Sequence, residues 1–438
     1  MATESEEHRK EWQRLVGRLR IRTMWGVPLI LLLAGLALGL ALPIVDRLLA
    51  RVLQPYPGID SGAIAGILGI VAGATMTLTG LAFSALATAM SIGLSNMSVR
   101  IVPLLQQDNV VRWSIGTFLG TFAYVLLIAV SVAAGEDGYQ PVAATALAVL
   151  LSVLCAVMLL ALITRVCQHL NPAMLLHRLV AAGQRGMATD LIAFHQDQPP
   201  LRIPPEPLPH PVTRTTPVRH GDTVQAINAR RIFDLENEWG IQLELVPRLG
   251  SAVAFGGTLF RTSAPLDRDR AADLENAVAF GDTYSPANGL YGTIRAIVDI
   301  ALKALSPAIN DPTRAVQCLD AIEDILARVA PLVREQGKTL AGETADDASL
   351  SRGWWRPWEV WVSAATDEIR QFGTTSMQIE RRLRALFQTL LSICPPDQHP
   401  PLRVRLEALD RATSQWSDPL DRSLSGAADV QGIGAPDA

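Results

Sequence analysis

The chain has 438 residues, 49% of them hydrophobic, and its 38 Lys and Arg stand against 42 Asp and Glu for a net charge of −4. Its mean hydropathy is positive, which points to a membrane protein, and no basic stripe supports nucleic-acid binding. Cys155, Cys167, Cys318 and Cys394 are far apart and His169, His177, His195, His210, His220 and His399 are scattered, so neither type offers zinc-site spacing; the cysteines read as reduced thiols.

Residues 1–23 form a basic tail carrying Arg9, Lys10, Arg14, Arg18, Arg20 and Arg22. Residues 24–164 hold four runs of spanning length, about 24–42, 62–95, 113–134 and 141–163, since about 20 apolar residues suffice to cross a bilayer. The first run is too long for a signal-peptide core and is read as a retained anchor. Within 24–164 only Asp46, Arg47, Arg51, Asp60, Arg100, Asp108, Arg112, Glu136 and Asp137 are charged. The basic tail and the acidic third connection place both termini in the cytoplasm by the positive-inside rule.

The second run is unusual. At 100° per residue one narrow face collects Gly62, Gly66, Gly73, Thr77, Gly80, Ser84, Thr88, Ser91 and Ser95, with Gly69 at its edge and Ile70 its only bulky intruder, while Leu68, Met76, Leu78, Phe83, Leu86 and Met90 fall elsewhere. Such small residues let helix backbones approach closely in lipid. Packing is the commoner role of such stripes; the sharper reading has the hydroxyl-bearing half line a water-filled path in an oligomer. A continuous helix here is roughly 51 Å long against a hydrocarbon core of about 30 Å, so it must tilt, break or project.

Residues 165–197 read as a juxtamembrane helix opened by Asn171-Pro172, and 198–217 as a proline-rich linker. Residues 218–265 read as a small β-rich module with strands at Thr223–Ile227, Ile241–Val246 and Val253–Phe260. Asn228 is expected to cap a helix that Gly240 ends. Residues 266–413 read as helical: one long region over 266–333, a loop over 336–352, then helices over 357–372, 376–393 and 402–411. The tail 414–438, rich in Gly, Ala, Asp and Ser, is expected to be disordered.

Three stretches carry a family resemblance: Thr79–Ser84 (TGLAFS), Leu119–Tyr124 (LGTFAY) and Val298–Thr313 (VDIALKALSPAINDPT). They resemble a family of predicted bacterial membrane proteins filed as domain of unknown function 2254. The likeness runs from the first span to about Arg411, with one departure at Val99-Arg100, where the pattern has a proline before the arginine. It implies a membrane location and this architecture, and it brings no biochemical activity.

In physical terms the third stretch is a corner between helices. Leu290, Ile294, Ile297, Val298, Ala301, Leu302 and Leu305 form an apolar stripe, and Asp311 is placed to cap the next helix, with Pro312 at its first position. The other reading makes Asn310 and Asp311 ligands for a cation. Pro247–Leu259 resembles half of a biotinyl- or lipoyl-type sandwich without the attachment lysine, so no cofactor is expected. Trp354, Trp355, Trp358 and Trp361 read as packing residues, and Asp320, Glu323 and Asp324 as a solvated face. No nucleophile, metal set or phosphate loop emerges, so no enzyme is expected.

The fold expected is an α-helical integral membrane protein with four transmembrane helices, followed by a cytoplasmic mixed α+β, mostly helical domain with a small β-rich module. Its partners are expected to be the lipid bilayer and further copies of itself. The functional expectation is an inner-membrane, channel-like or pore-forming oligomer gated by its cytoplasmic domain. The alternative is a membrane-anchored sensory or interaction module whose spans only oligomerise.

Overall fold

The computed structural model describes residues 10, 12–14, 16, 25–49, 61–96, 100, 108–133, 141–170, 172–188, 201–202, 204, 206–215, 221–281, 289–343, 350–351, 356–414 and 416–433. It forms two compact units. One holds Arg22–Ser95 and Val102–Leu175, the other Met1–Ile21, Asn96–Ile101 and Leu176–Ala438.

The first unit contains α1 (Gly26–Leu49), α2 (Ser61–Asn96), α3 (Asn109–Ala133) and α4 (Val142–Leu170). Each includes a stretch long and apolar enough to cross a membrane. Helix α2 is unbroken over its 36 residues, about 54 Å at 1.5 Å per residue. Of the three options its length left, a break is removed. Helices α1 and α3 run parallel through a seam of glycines. A Cβ on Gly35 would fall on the Gly120 carbonyl, one on Gly120 would lie 2.6 Å from the Leu31 carbonyl oxygen, and one on Gly39 would lie 2.9 Å from Leu127 Cβ. Helix α4 runs antiparallel to α3, with the Ser114 hydroxyl donating to the Met158 carbonyl at 3.2 Å and Cys155 Sγ beside Thr121 Oγ1 at 3.4 Å.

Helix α2 completes this core with Ile64, Leu68 and Val71, which join Tyr124, Val125, Ile128, Ala144 and Ala148. Its Ala82 joins Val111, Ile115, Phe118, Cys155 and Leu162. The outer surface carries exposed Ile30, Leu33, Leu40, Leu150, Val153, Val157 and Leu160, as a lipid-facing wall requires. Asp46 closes one end. It is 8% exposed, and its Oδ2 accepts the Ala144 N–H at 3.0 Å, so the far end of α1 caps the first turn of α4.

In the second unit, α5 (Pro172–Ala188) precedes a β-rich part. Strands β2 (His210–Thr213), β5 (Thr258–Thr262) and β4 (Leu243–Leu245) form one antiparallel sheet, in the order β2-β5-β4. Strand β3 (Thr223–Ile227) pairs with β6 (Val278–Gly281), and β1 (Leu201–Arg202) with β7 (Leu350–Ser351). Helix α6 (Ala229–Trp239) starts where Asn228 Oδ1 accepts the Arg231 N–H at 3.0 Å and ends at Gly240, whose φ is +64°. Helix α7 (Arg268–Glu275) follows β5. Ile227, Ile232, Leu235, Leu259, Phe260 and Leu274 lie at the heart of this part.

The helical part comprises α8 (Leu290–Ala304), α9 (Pro312–Glu343), α10 (Trp358–Phe372), α11 (Met377–Ile393), α12 (Pro400–Thr413) and α13 (Pro419–Gly426). Helix α11 buries charge. The Arg382 side chain is 3% exposed and donates to Asp320 Oδ1 at 2.7 Å, with Glu323 Oε2 also 2.7 Å away. Arg384 meets Asp410 at 2.5 Å, and Arg405 forks onto Asp367 at 2.7 and 2.9 Å.

Six elements depart from the sequence expectation, among them β1 in the expected linker and β7 in the expected loop, and the strand expected at Val253–Phe260 is found at Thr258–Thr262. Strand β2 lies in the expected linker; it is an edge strand, where Pro211 removes no needed hydrogen bond. Strand β6 interrupts the expected long helical region because Val278–Gly281 finds a partner in β3. Helix α9 runs to Glu343, through part of the expected loop. The expected disordered tail contains α13, capped by Asp418 through the Leu420 N–H at 2.7 Å and tied to α11 by Arg381 Nε donating to the Leu424 carbonyl at 2.5 Å.

Candidate functional site: the outward face of the second span

Helix α2 has two unlike sides. Ile64, Leu68, Val71, Thr75, Thr79 and Ala82 are buried against the unit's own core. Gly62, Gly66, Gly69, Gly73, Thr77, Gly80, Ser84, Thr88 and Ser91 are all exposed. The side chain of Ser95 lies outside the described residues. A Cβ built on Gly66, Gly69, Gly73 or Gly80 meets nothing within 4 Å. These four glycines, expected to pack helices together, therefore pack against nothing among the described residues.

The threonine hydroxyls along α2 turn inward on their own helix. Thr77 Oγ1 donates to the Gly73 carbonyl at 2.8 Å, and Thr88 Oγ1 to the Ser84 carbonyl at 2.9 Å. On the buried side Thr75 donates to the Val71 carbonyl at 2.8 Å and Thr79 to the Thr75 carbonyl at 2.7 Å. Such back-bonding meets the donor's need inside lipid without a neighbouring helix. The outward face thus combines absent side chains with small polar ones, of which Thr77 and Thr88 have their protons already placed.

Sequence reasoning missed the glycine seam that does form. Gly35-x-x-x-Gly39 and Gly116-x-x-x-Gly120 were both in plain view. Neither extends into a long stripe, and the facing of two short motifs was the signal that could have paired them.

The corner between α8 and α9 is a tight turn. Asp311 Oδ1 accepts the Arg314 N–H at 3.0 Å while its Oδ2 lies 3.3 Å from Arg314 Nε. Asn310, at φ 46°, is the only positive-φ residue other than glycine among the described residues. Its N–H donates to the Ser306 carbonyl at 2.8 Å, and the Asp311 N–H donates to the Ala304 carbonyl at 2.8 Å. Both Asp311 oxygens are engaged within the turn. One turn earlier on α8, Asp299 pairs with Arg100 at 3.1 Å.

The other candidates resolve as packing. Trp358 is 8% exposed and donates its indole N–H to the Gln398 carbonyl at 2.9 Å. Trp361 packs edge-on against Tyr291 at 5.4 Å; Trp354 and Trp355 lie outside the described residues. Asp320 and Asp324 are exposed as expected, while Asp320 also holds Arg382 together with the more covered Glu323. The glycines of the sandwich-like stretch sit in turns, Gly250 at φ 81° and Gly256 at φ 76°. Beside them Arg214, 1% exposed, donates to the Val253 carbonyl at 2.6 Å and the Gly221 carbonyl at 2.8 Å and stacks on Phe280. Burial pushes the Cys318 thiol up to about 12 and the Cys394 thiol upward, which disfavours the reactive thiolate. Cys394 borders a groove with Pro331 and Arg334, and Arg334 Nε donates to both carboxylate oxygens of Asp397. No group of three or more metal-ligating side chains comes together among the described residues.

A family described as predicted membrane protein (DUF2254) matches residues 21–389. Uncharacterized proteins of Mycobacterium bovis and Mycobacterium tuberculosis are 24% identical over 384 residues, covering 83% of this chain and 71% of the relative. No solved structure matches.

Proposed function

The chain belongs to the DUF2254 family of predicted membrane proteins, and from that premise we propose a homo-oligomeric, channel-like protein of the bacterial inner membrane. In it the α2 helices of neighbouring copies converge. The glycine half, Gly62 to Gly73, brings the copies together, and the hydroxyl half, Thr77 to Ser95, faces the central path. The observation that supports this reading is the outward position of the whole described stripe, with open space beside Gly66, Gly69, Gly73 and Gly80. The second unit gates the path from the cytoplasm. Its grouping of Met1–Ile21, Asn96–Ile101 and Leu176–Ala438 suits four crossings with the N-terminal segment, the second connection and the C-terminal region on one side. The basic residues before the first span favour the cytoplasmic side. No enzymatic step is part of this proposal.

A second reading, an interaction module with a dry seam, draws on the back-bonded Thr77 and Thr88, which need no water. One experiment separates the two. In a Cys167→Ser background, Ser84→Cys, Thr88→Cys and Ser91→Cys are treated with a membrane-impermeant thiol reagent in liposomes, alongside Leu86→Cys as the control. Channel function predicts an oligomer with conductance and labelling at the first three positions only. An oligomer without conductance and with equal protection of all four positions supports the seam. A monomer in lipid overturns both.

A further inference from the structure

Arg112 lies in the first turn of α3 and is 7% exposed, and its Nε is buried with no hydrogen-bond partner. It makes no ion pair among the described residues. The carboxylate one turn before it cannot serve, because both oxygens of Asp108 are engaged. Oδ1 accepts the Val110 N–H at 2.9 Å, and Oδ2 accepts Arg165 Nε at 2.6 Å. Among the described residues at this end of the unit, two guanidiniums and one carboxylate leave one positive charge over. A buried arginine cannot shed its proton, and an unpaired buried charge is strongly unfavourable.

The level in the membrane is marked independently. Helices α1 and α3 are parallel, and at their matching ends Trp25 and Trp113 are 57% and 52% exposed. Exposed tryptophans of this kind sit at the headgroup layer. Arg112 is therefore a cation at headgroup depth, sheltered among helices, with no anion paired to it among the described residues. The planar fork of a guanidinium matches phosphate, and basic pockets between spans on the cytoplasmic side bind anionic headgroups.

We propose that Arg112 anchors a site for a singly charged phosphate group, presented by an anionic phospholipid at the membrane surface. The proposal is independent of any conducting path. Its test is thermal unfolding of delipidated full-length protein in a zwitterionic detergent. Phosphatidylglycerol, phosphatidylcholine or inorganic phosphate is added in separate titrations to the natural chain, to Arg112→Gln and to Arg112→Lys. Phosphatidylglycerol is expected to raise Tm of the natural chain saturably, on the order of 2–4 °C, with little response to phosphatidylcholine. Without added lipid, Arg112→Gln should be at least as stable as the natural chain, since it removes an unpaired charge, and it should lose the phosphatidylglycerol response. Arg112→Lys should keep a weakened one. A response equal in the natural chain and Arg112→Gln overturns the site, as does an equal response to phosphatidylcholine. Saturation by inorganic phosphate alone, with no added effect of phosphatidylglycerol, overturns the lipid as the source. Collapse of Arg112→Gln without lipid overturns the unpaired charge on which the site rests.

Discussion

Two faces in the membrane unit are built from glycine at helical spacing, and they stand in opposite circumstances. Between α1 and α3, Gly35, Gly116 and Gly120 are so closely covered that a single added carbon would meet backbone or a leucine side chain at 2.6 Å or closer. On α2, Gly66, Gly69, Gly73 and Gly80 face open space. A glycine costs a helix roughly 0.5–1 kcal/mol relative to alanine. The α1–α3 seam recovers that cost within one chain through close packing, and the α2 face does not. Among the described residues nothing covers the α2 glycines, and the neighbouring copy proposed above is what would offset them.

The contrast breaks most visibly at the seam. Gly35→Leu should destabilise the membrane unit by about 3 kcal/mol or more, because overpacking against backbone finds little room to relax; unfolding in mixed micelles measures it. Gly73→Leu should leave that unfolding curve in place while weakening self-association at least about tenfold, about 1.4 kcal/mol, read by cross-linking in lipid. An intact oligomer after Gly73→Leu would separate the stripe from assembly. A control lies in the second unit, where Asp311→Ala should cost about 0.5–2 kcal/mol and Asp311→Asn almost nothing, as expected of a helix cap. Smaller still, Gly66→Ala should stabilise the monomer by up to about 1 kcal/mol. A loss instead would mean that the face is occupied within the monomer. Thr88→Val should move monomer stability by no more than about 0.5 kcal/mol, since its hydroxyl bonds only its own helix.

The four spans were legible because length and apolar content decide them, and α6 because Asn228 and Gly240 are strong local signals at both ends. The stripe on α2 was legible as a pattern, but its direction was not. Which side of an uncharged helix turns inward depends on Ile64, Leu68 and Val71 finding Tyr124 and Ile128, a contact far along the chain. The run Glu380-Arg381-Arg382-Leu383-Arg384 reads locally as a solvated surface. It is buried because Asp320, Glu323 and Asp410 are supplied by other helices, and no spacing rule within α11 announces them. Strand β6 was hidden for a similar reason, since four residues become a strand only where β3 offers an edge. Arg112 was visible as a charge in an apolar region, while its lack of an ion-pair partner among the described residues is a property of three dimensions alone.

The bond from Asp46 to Ala144 has a consequence for how the protein is made. The carboxylate leaves the ribosome with the first span, and the amide it serves arrives 98 residues later, at the start of the fourth. Until synthesis reaches that point, the first span carries an acid with no amide to hold. The last helix, in turn, acquires its cap on insertion beside the first. Beginning and end of the bundle are thereby latched together, so a nascent chain halted after the third span is chemically distinguishable from a finished one.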